Sequence, residues 1–189
     1  MKLIVGLGNP GKEYNNTRHN VGFDFLDNYL NYKYNDISWN HKFDGLYTEL
    51  NIENEKVLFL KPQTFMNLSG NSVKKIMDYY KININDILII SDDLDLLIGN
   101  YKLKISGSCG GHNGLRDIEN KINSNKYKRL KIGISNNKDL DTKNYVLGKL
   151  SKSEKNVLNN LYVELFKVLD DYFRISFEEL MNKYNHKNV

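Results

Sequence analysis

Cysteine is almost missing from this chain. Cys109 stands alone among 189 residues, so no internal disulfide can form and a reducing cytoplasm is the expected setting. Proline is nearly as scarce: Pro10 and Pro62 are the only two, and no Pro/Gly/Ser linker divides the chain. No apolar run approaches a membrane span. Leu3-Ile4-Val5, after Met-Lys, is too short for a signal-peptide core and runs straight into glycines. Repeats and low-complexity tracts are absent too. What is present, 40% hydrophobic and 26% charged residues, is ordinary globular material sufficient for one domain spanning residues 1–189.

Charge is modest in sum and uneven in place. Of a net +4, the stretch from Asn100 to Gly133 holds eight basic residues against Asp117 and Glu119, while the rest holds 19 basic against 21 acidic. A local patch of this kind suits a polyanion; a solvated lysine-rich face is the plainer alternative. On strand Tyr101–Ile105, Lys102 and Lys104 share one face, and Arg129 and Lys131 share one on the later strand.

Hydrophobic periodicity outlines the elements. Leu3 to Leu7 reads as a buried strand, and Val21, Phe25, Tyr29 and Leu30 recur at helical spacing from a start near Asn20. Leu46–Ile52 and Lys56–Leu60 read as a strand pair turned at Glu53-Asn54-Glu55. Val73, Ile76, Met77 and Tyr80 mark a second helix, Ile87–Ile90 a further strand, Gly114–Ile122 a short helix, and Leu130, Ile132 and Ile134 a last strand. Ser151-x-x-Glu154 and Ser176-x-x-Glu179 are capping-box patterns opening a helical C-terminal part. The tail from Asn185, residues 186–189 above all, is expected to fray. The pattern predicts an α/β fold: a single domain with a mixed, mostly buried sheet flanked by helices.

Gly6, Gly8 and Gly11 spell G-x-G-x-x-G after the first strand, the spacing of a dinucleotide loop. Three features oppose that reading. Pro10 has no N–H to offer a pyrophosphate; no helical period starts at Gly11; and the expected acid about twenty residues on is represented only by Asp24 and Asp27, inside the helix. No G-x-S-x-G elbow occurs. Cys109 and His112 make half a zinc site without a second half, or a conceivable thiol–imidazole pair against the alternative of an inert cysteine. Asp92, Asp93 and Asp95 could hold Mg²⁺ or simply form a turn. Open α/β sheets bind ligands beyond the carboxyl ends of their strands, and "LIVGLGNPG", "VLFLKPQTFMN" and "ILIISDDLD" end there in Asn9, Asn67 and Asp92.

Four motifs, "GLGNPGKEYNNTRHNVGF", "KPQTFMNLSG", "SDDLDL" and "GGHNGLRDI", stand in the order and spacing of bacterial peptidyl-tRNA hydrolases, which this chain resembles over nearly its whole length, less closely after Gly148. The resemblance implies cleavage of the ester between a stalled peptide and the 3′-terminal adenosine of tRNA, by a metal-free enzyme that acts as a monomer. It implies His19 as the catalytic base, Asp92 as its carboxylate partner, and Asn9 as the position that discriminates blocked from free amino termini. It also implies Tyr14, Phe65, Asn67 and Asn113 as substrate contacts with Met66 as an apolar wall. The glycines then serve to turn the backbone and present Asn9. Lys102, Lys104, Arg129 and Lys131 are the candidate tRNA contacts. Ahead of a helix start, the dipole is expected to favour neutral His19, the form a base needs. Cys109 and Lys131 depart from the family pattern, which more commonly has alanine or another residue at the first position and in some relatives arginine at the second. A non-catalytic RNA-binding protein on the same scaffold is the main alternative, and a purine- or peptide-processing enzyme on a similar sheet the second.

Overall fold

Leu3, Ile4 and Val5 are fully buried with no polar residue between them, as a strand covered on both faces requires. The structure, a computed structural model, describes residues 1–185. In chain order it comprises β1 (Lys2–Gly6), α1 (Val21–Lys33), β2 (Asn40–Lys42), β3 (Gly45–Ile52), β4 (Glu55–Pro62), α2 (Ser69–Tyr80), β5 (Ile87–Asp93), β6 (Tyr101–Lys104), α3 (Asn113–Ile122), β7 (Lys128–Gly133), α4 (Thr142–Val146), α5 (Lys152–Tyr172) and α6 (Phe177–Tyr184). The strands form one mixed sheet in the order β2-β3-β4-β1-β5-β7-β6. Strands β4, β1, β5 and β7 run parallel, and β2, β3 and β6 are antiparallel to their neighbours.

Alternation along each inner strand feeds two cores. Ile4, Leu88, Ile90 and Leu130 face α1, α5 and α6; Leu3, Val5, Ile87 and Ile89 face α2 and α3. Both capping boxes form, Ser151 with Glu154 and Ser176 with Glu179. The β3–β4 hairpin turns on Glu53 and Asn54, both at positive φ, as a two-residue loop between right-twisted strands demands. β2 and α4 carry no periodic signal and were not anticipated.

The glycine motif works differently from the expectation. Only Gly11 has positive φ. A Cβ on Gly6 would lie 2.4 Å from the Gly22 carbonyl oxygen of α1, and one on Gly8 would lie 2.6 Å from the Phe23 ring. Two of the three glycines therefore let α1 sit close on the strand end instead of turning the chain. Asn185 also departs from expectation. Its side-chain amide accepts from Leu103 N at 2.9 Å and donates to Leu103 O at 3.0 Å, so it pairs with edge strand β6. The expected fraying of 186–189 lies outside the described residues.

Chain order places the site. The path runs from β1 out to β4 and back to β5 on the other side of β1, so the sheet reverses direction at its centre. The carboxyl ends of β1, β4 and β5 then open onto one crevice.

Candidate active site

A cleft of about 800 Å³ occupies that crevice. Asn9, His19, Phe65, Met66, Asn67, Asp92, Asn113 and Lys131 all line it. Tyr14 stands outside the lining, its ring meeting Phe65 edge-on at 6.3 Å between centroids. Phe65 is 56% exposed and Met66 is buried, one an open platform and the other a wall.

At its centre are two imidazoles sharing one carboxylate. Asp92, the penultimate residue of β5, is 3% exposed, and His19, in a short helical turn at Arg18–Asn20, is 8% exposed. His19 Nδ1 lies 2.9 Å from each Asp92 oxygen. His112 Nε2 lies 2.8 Å from Oδ1. The His112 tautomer follows from its surroundings: Nδ1 accepts from the N–H groups of Gly114 (3.1 Å) and Leu115 (3.3 Å) as the N-cap of α3. The neutral ring therefore carries its proton on Nε2 and donates it to Asp92. His19 donates from Nδ1 to the same carboxylate, which leaves its Nε2 lone pair free.

Electrostatics follow this geometry. Burial pushes the Asp92 carboxyl upward, but the charges and hydrogen bonds of His19 and His112 outweigh it and hold the group well below the usual carboxylate range. Burial likewise pushes His19 down, yet Asp92's charge and hydrogen bond leave the imidazole above its ordinary value. The expectation that a helix dipole keeps His19 neutral is thus corrected. A full charge at 2.9 Å exceeds the partial charge of a helix end.

The same hydrogen bonds bear on the other chemistries considered. His19, Asp92 and His112 offer ligand atoms within 4.8 Å of one another. The N-cap bonds, however, keep a proton on His112 Nε2, which then has no lone pair for a metal. With both ring nitrogens committed, His112 cannot activate Cys109 either. Asp93 accepts from Asp95 N at 2.7 Å, a turn-forming contact, and pairs with Lys131.

Asn9 is held from two directions. Asn20 Oδ1 accepts from Asn9 N at 2.8 Å, and Asn20 Nδ2 donates to Asn9 O at 2.9 Å. Asn9 Oδ1 accepts from Met66 N at 2.7 Å. The remaining donor, Asn9 Nδ2, is left to the cleft. Asn67 and Asn113 are exposed at the same opening.

A family model described as peptidyl-tRNA hydrolase matches residues 3–189. The chain belongs to the peptidyl-tRNA hydrolase family. The peptidyl-tRNA hydrolase of Listeria welshimeri is 42% identical over 185 residues, covering 98% of this chain and 100% of the relative. That of Clostridium botulinum is 44% identical, covering 98% and 96%. A crystal structure of peptidyl-tRNA hydrolase from Acinetobacter baumannii matches with a TM-score of 0.83 at 36% identity, covering 100% of this chain and 92% of that one. An Arg119Gln mutant of that protein matches with a TM-score of 0.89 at 37% identity, covering 96% and 93%.

Within this peptidyl-tRNA hydrolase fold the basic residues divide. Lys102 pairs in register with Lys131, and Lys104 with Arg129, so all four share the α3 face of the sheet. Lys102 and Lys104 are exposed. Arg129 is 1% exposed, and its guanidinium donates to Ser108 O, Gly107 O, Asn125 O and Glu119. Arg129 is therefore no phosphate contact; it fastens the loop ahead of His112. Two side chains that hold this arrangement carried little signal in the sequence. His112 was visible only as half a zinc site or a partner for Cys109, and Asn20 only as a helix start within "TRHN".

Proposed function

We propose that this chain hydrolyses the ester between a peptide, or an N-blocked amino acid, and the 3′-terminal adenosine of tRNA, with His19 as general base. The observation that carries this reading is the geometry at Asp92: a ring nitrogen of each of two histidines lies within 2.9 Å of one carboxylate, an arrangement that assigns both N–H groups to Asp92 and leaves His19 Nε2 free beside the cleft. His19 Nε2 takes a proton from water as the oxygen attacks the ester carbonyl. Asp92 stabilises the imidazolium as it forms. Amide N–H groups of Asn67 and Asn113 serve the oxyanion without adding charge. The imidazolium then returns its proton to the departing 3′ oxygen, giving a free tRNA hydroxyl and a carboxylic acid that ionises to solvent. Asn9 Nδ2 binds the first peptide unit, and Phe65, with Tyr14 behind it, supports the side chains.

Lys131, Lys102 and Lys104 lie successively farther from the cleft along β7 and β6 and receive acceptor-stem phosphates. Such contacts are largely independent of tRNA sequence. The reading makes the protein a monomeric cytoplasmic enzyme; no described helix is long and apolar enough to cross a membrane. Release of tRNA from N-acetylated aminoacyl-tRNA by purified protein, with and without chelator, tests it. His19→Ala should abolish release while tRNA binding persists. Binding without release by the unmodified protein would favour the RNA-binding alternative, and loss in chelator would return a metal to the site.

A further inference from the structure

Arg18, the residue before His19, points away from the cleft, and its donors are used across the molecule. Its Nε and Nη2 donate to the Glu154 carboxylate at 3.1–3.3 Å. Its Nη1 donates to Tyr145 O at 3.2 Å, and the guanidinium lies 4.3 Å from the centroid of the Tyr145 ring. Backbone bonds run alongside: Arg18 N to Gly148 O at 3.1 Å and Leu150 N to Asn16 O at 2.8 Å. Lys149 Nζ donates to Glu13 O and Asn15 O, both at 2.6 Å. Glu154 is itself the capping-box acid at the start of α5. Gly148 makes room for the guanidinium, since a Cβ there would lie 2.5 Å from Arg18 Nη1.

The far end of this strap is functional surface. Asp141, Thr142, Lys143, Val146 and Leu147 line the same cleft as Asn9 and Phe65. α4, which carries most of them, is five residues long, too short to hold its place alone. Tyr145 anchors one point by donating from its hydroxyl to Ile134 O at 2.7 Å. The bonds at 148–150 join the following segment to the turn bearing His19, and the Arg18 side chain carries that connection into α4 itself, at Tyr145 O.

We infer that Arg18 is a positioning residue that latches the cleft wall at 141–147 to the turn bearing His19, so that the closed wall and the aligned base form one body. A forked guanidinium–carboxylate pair suits this task because two parallel bonds fix direction as well as distance. Without the latch the wall samples open arrangements, and apparent affinity falls with the closed fraction. His19 itself keeps Asp92, so chemistry on bound substrate changes less. The inference rests on the hydrolase reading for its kinetic test, but not for its structural one.

Arg18→Met, Glu154→Gln and Gly148→Ala test it against three different atoms of the latch. With N-acetylated aminoacyl-tRNA each should raise KM about tenfold while kcat stays within about threefold. Arg18→Lys, a cation without the fork, should fall between. The Arg18→Met/Glu154→Gln double variant should be no worse than the singles, because both remove one interaction. Hydrogen exchange on substrate-free protein should accelerate across 142–150 and remain unchanged in β5, whether or not the chain hydrolyses ester. Gly148→Ala retains every charge and decides the matter if Arg18→Met does not fold. Unchanged KM in folded variants, or exchange that accelerates evenly throughout, would overturn the latch and leave Arg18 a contributor to stability alone.

Discussion

Replacing Asp92 by Asn should cost far more than the loss of one charge, because the carboxamide cannot serve both histidines. Each Asp92 oxygen lies 2.9 Å from His19 Nδ1, so in either orientation the new NH₂ group sits against that nitrogen. His112 cannot yield, since its Nδ1 accepts two backbone N–H groups and its Nε2 must keep the proton. It therefore claims the amide oxygen at the Oδ1 position. The NH₂ group then donates to His19 Nδ1 and drives the His19 proton onto Nε2. That is the atom that must accept from water. A base held in the wrong tautomer loses about 10³- to 10⁴-fold in kcat, equivalent to about 4–5.5 kcal/mol at 1.36 kcal/mol per decade. Two measurements follow the consequence: release of tRNA from N-acetylated aminoacyl-tRNA, and nitrogen chemical shifts of the His19 ring. Adding His112→Ala should restore about a decade of the loss, because a carboxamide no longer held by His112 can swing its NH₂ group off His19 Nδ1 and leave only its oxygen there, although removing the α3 cap costs about 1 kcal/mol of stability. Turnover within tenfold of the unmodified protein, or a His19 ring still protonated on Nδ1, would refute the argument.

The pH dependence should carry the same signature. Asp92 raises His19 against the effect of burial, and only the neutral ring is a base, so kcat/KM should rise with pH on a limb whose midpoint lies above 6.5; a midpoint below it would contradict the pairing. Lys102→Ala/Lys104→Ala should weaken use of full-length substrate and flatten its log–log salt dependence by about 1–2. Cleavage of a minimal substrate ending just past the terminal adenosine should barely change, and an unaltered salt slope would make these lysines a solvated face. On α1, burial and the neighbouring Asp27 push Asp24 up to about 6, against the pull of Lys61 and Lys155. A carboxyl raised on folding favours the native state below its unfolded value, near 4, and that support is lost as pH rises through about 6. Asp24→Asn should therefore raise stability by about 1–3 kcal/mol at pH 8 and by little at pH 4, read as denaturant midpoints; equal effects at both would disprove the assignment.

How much of this was legible beforehand depends on whether a residue acts along the chain or across it. β1, β4 and β5 announce themselves because central parallel strands are apolar on both faces, and the polar residues ending them gave Asn9, Asn67 and Asp92 a common address before any geometry was known. The capping boxes at Ser151 and Ser176 are equally local. His112 failed the same test for a physical reason. Its neighbour in sequence, Cys109, drew attention to a metal or thiol pairing, whereas its partner, Asp92, is twenty residues back and reachable only once β5 and the start of α3 meet. Asn20 acts through a bond to the backbone of Asn9, and backbone acceptors leave no mark in a sequence. Arg129 shows a different limit. Alternation put it correctly on the face of Lys131, and the pairing of Lys104 with Arg129 bears that out, but alternation is silent about what covers a face. The loop at 107–108, Glu119 and Asn125 O close over Arg129, while one pair nearer the cleft Lys131 still lines the opening. His19 combines both cases. Its place before α1 could be read in advance and suggested the neutral form, yet Asp92 reverses the sign from across the sheet. In the proposed role that makes His19 a stronger base, at the cost of needing a higher pH to be free.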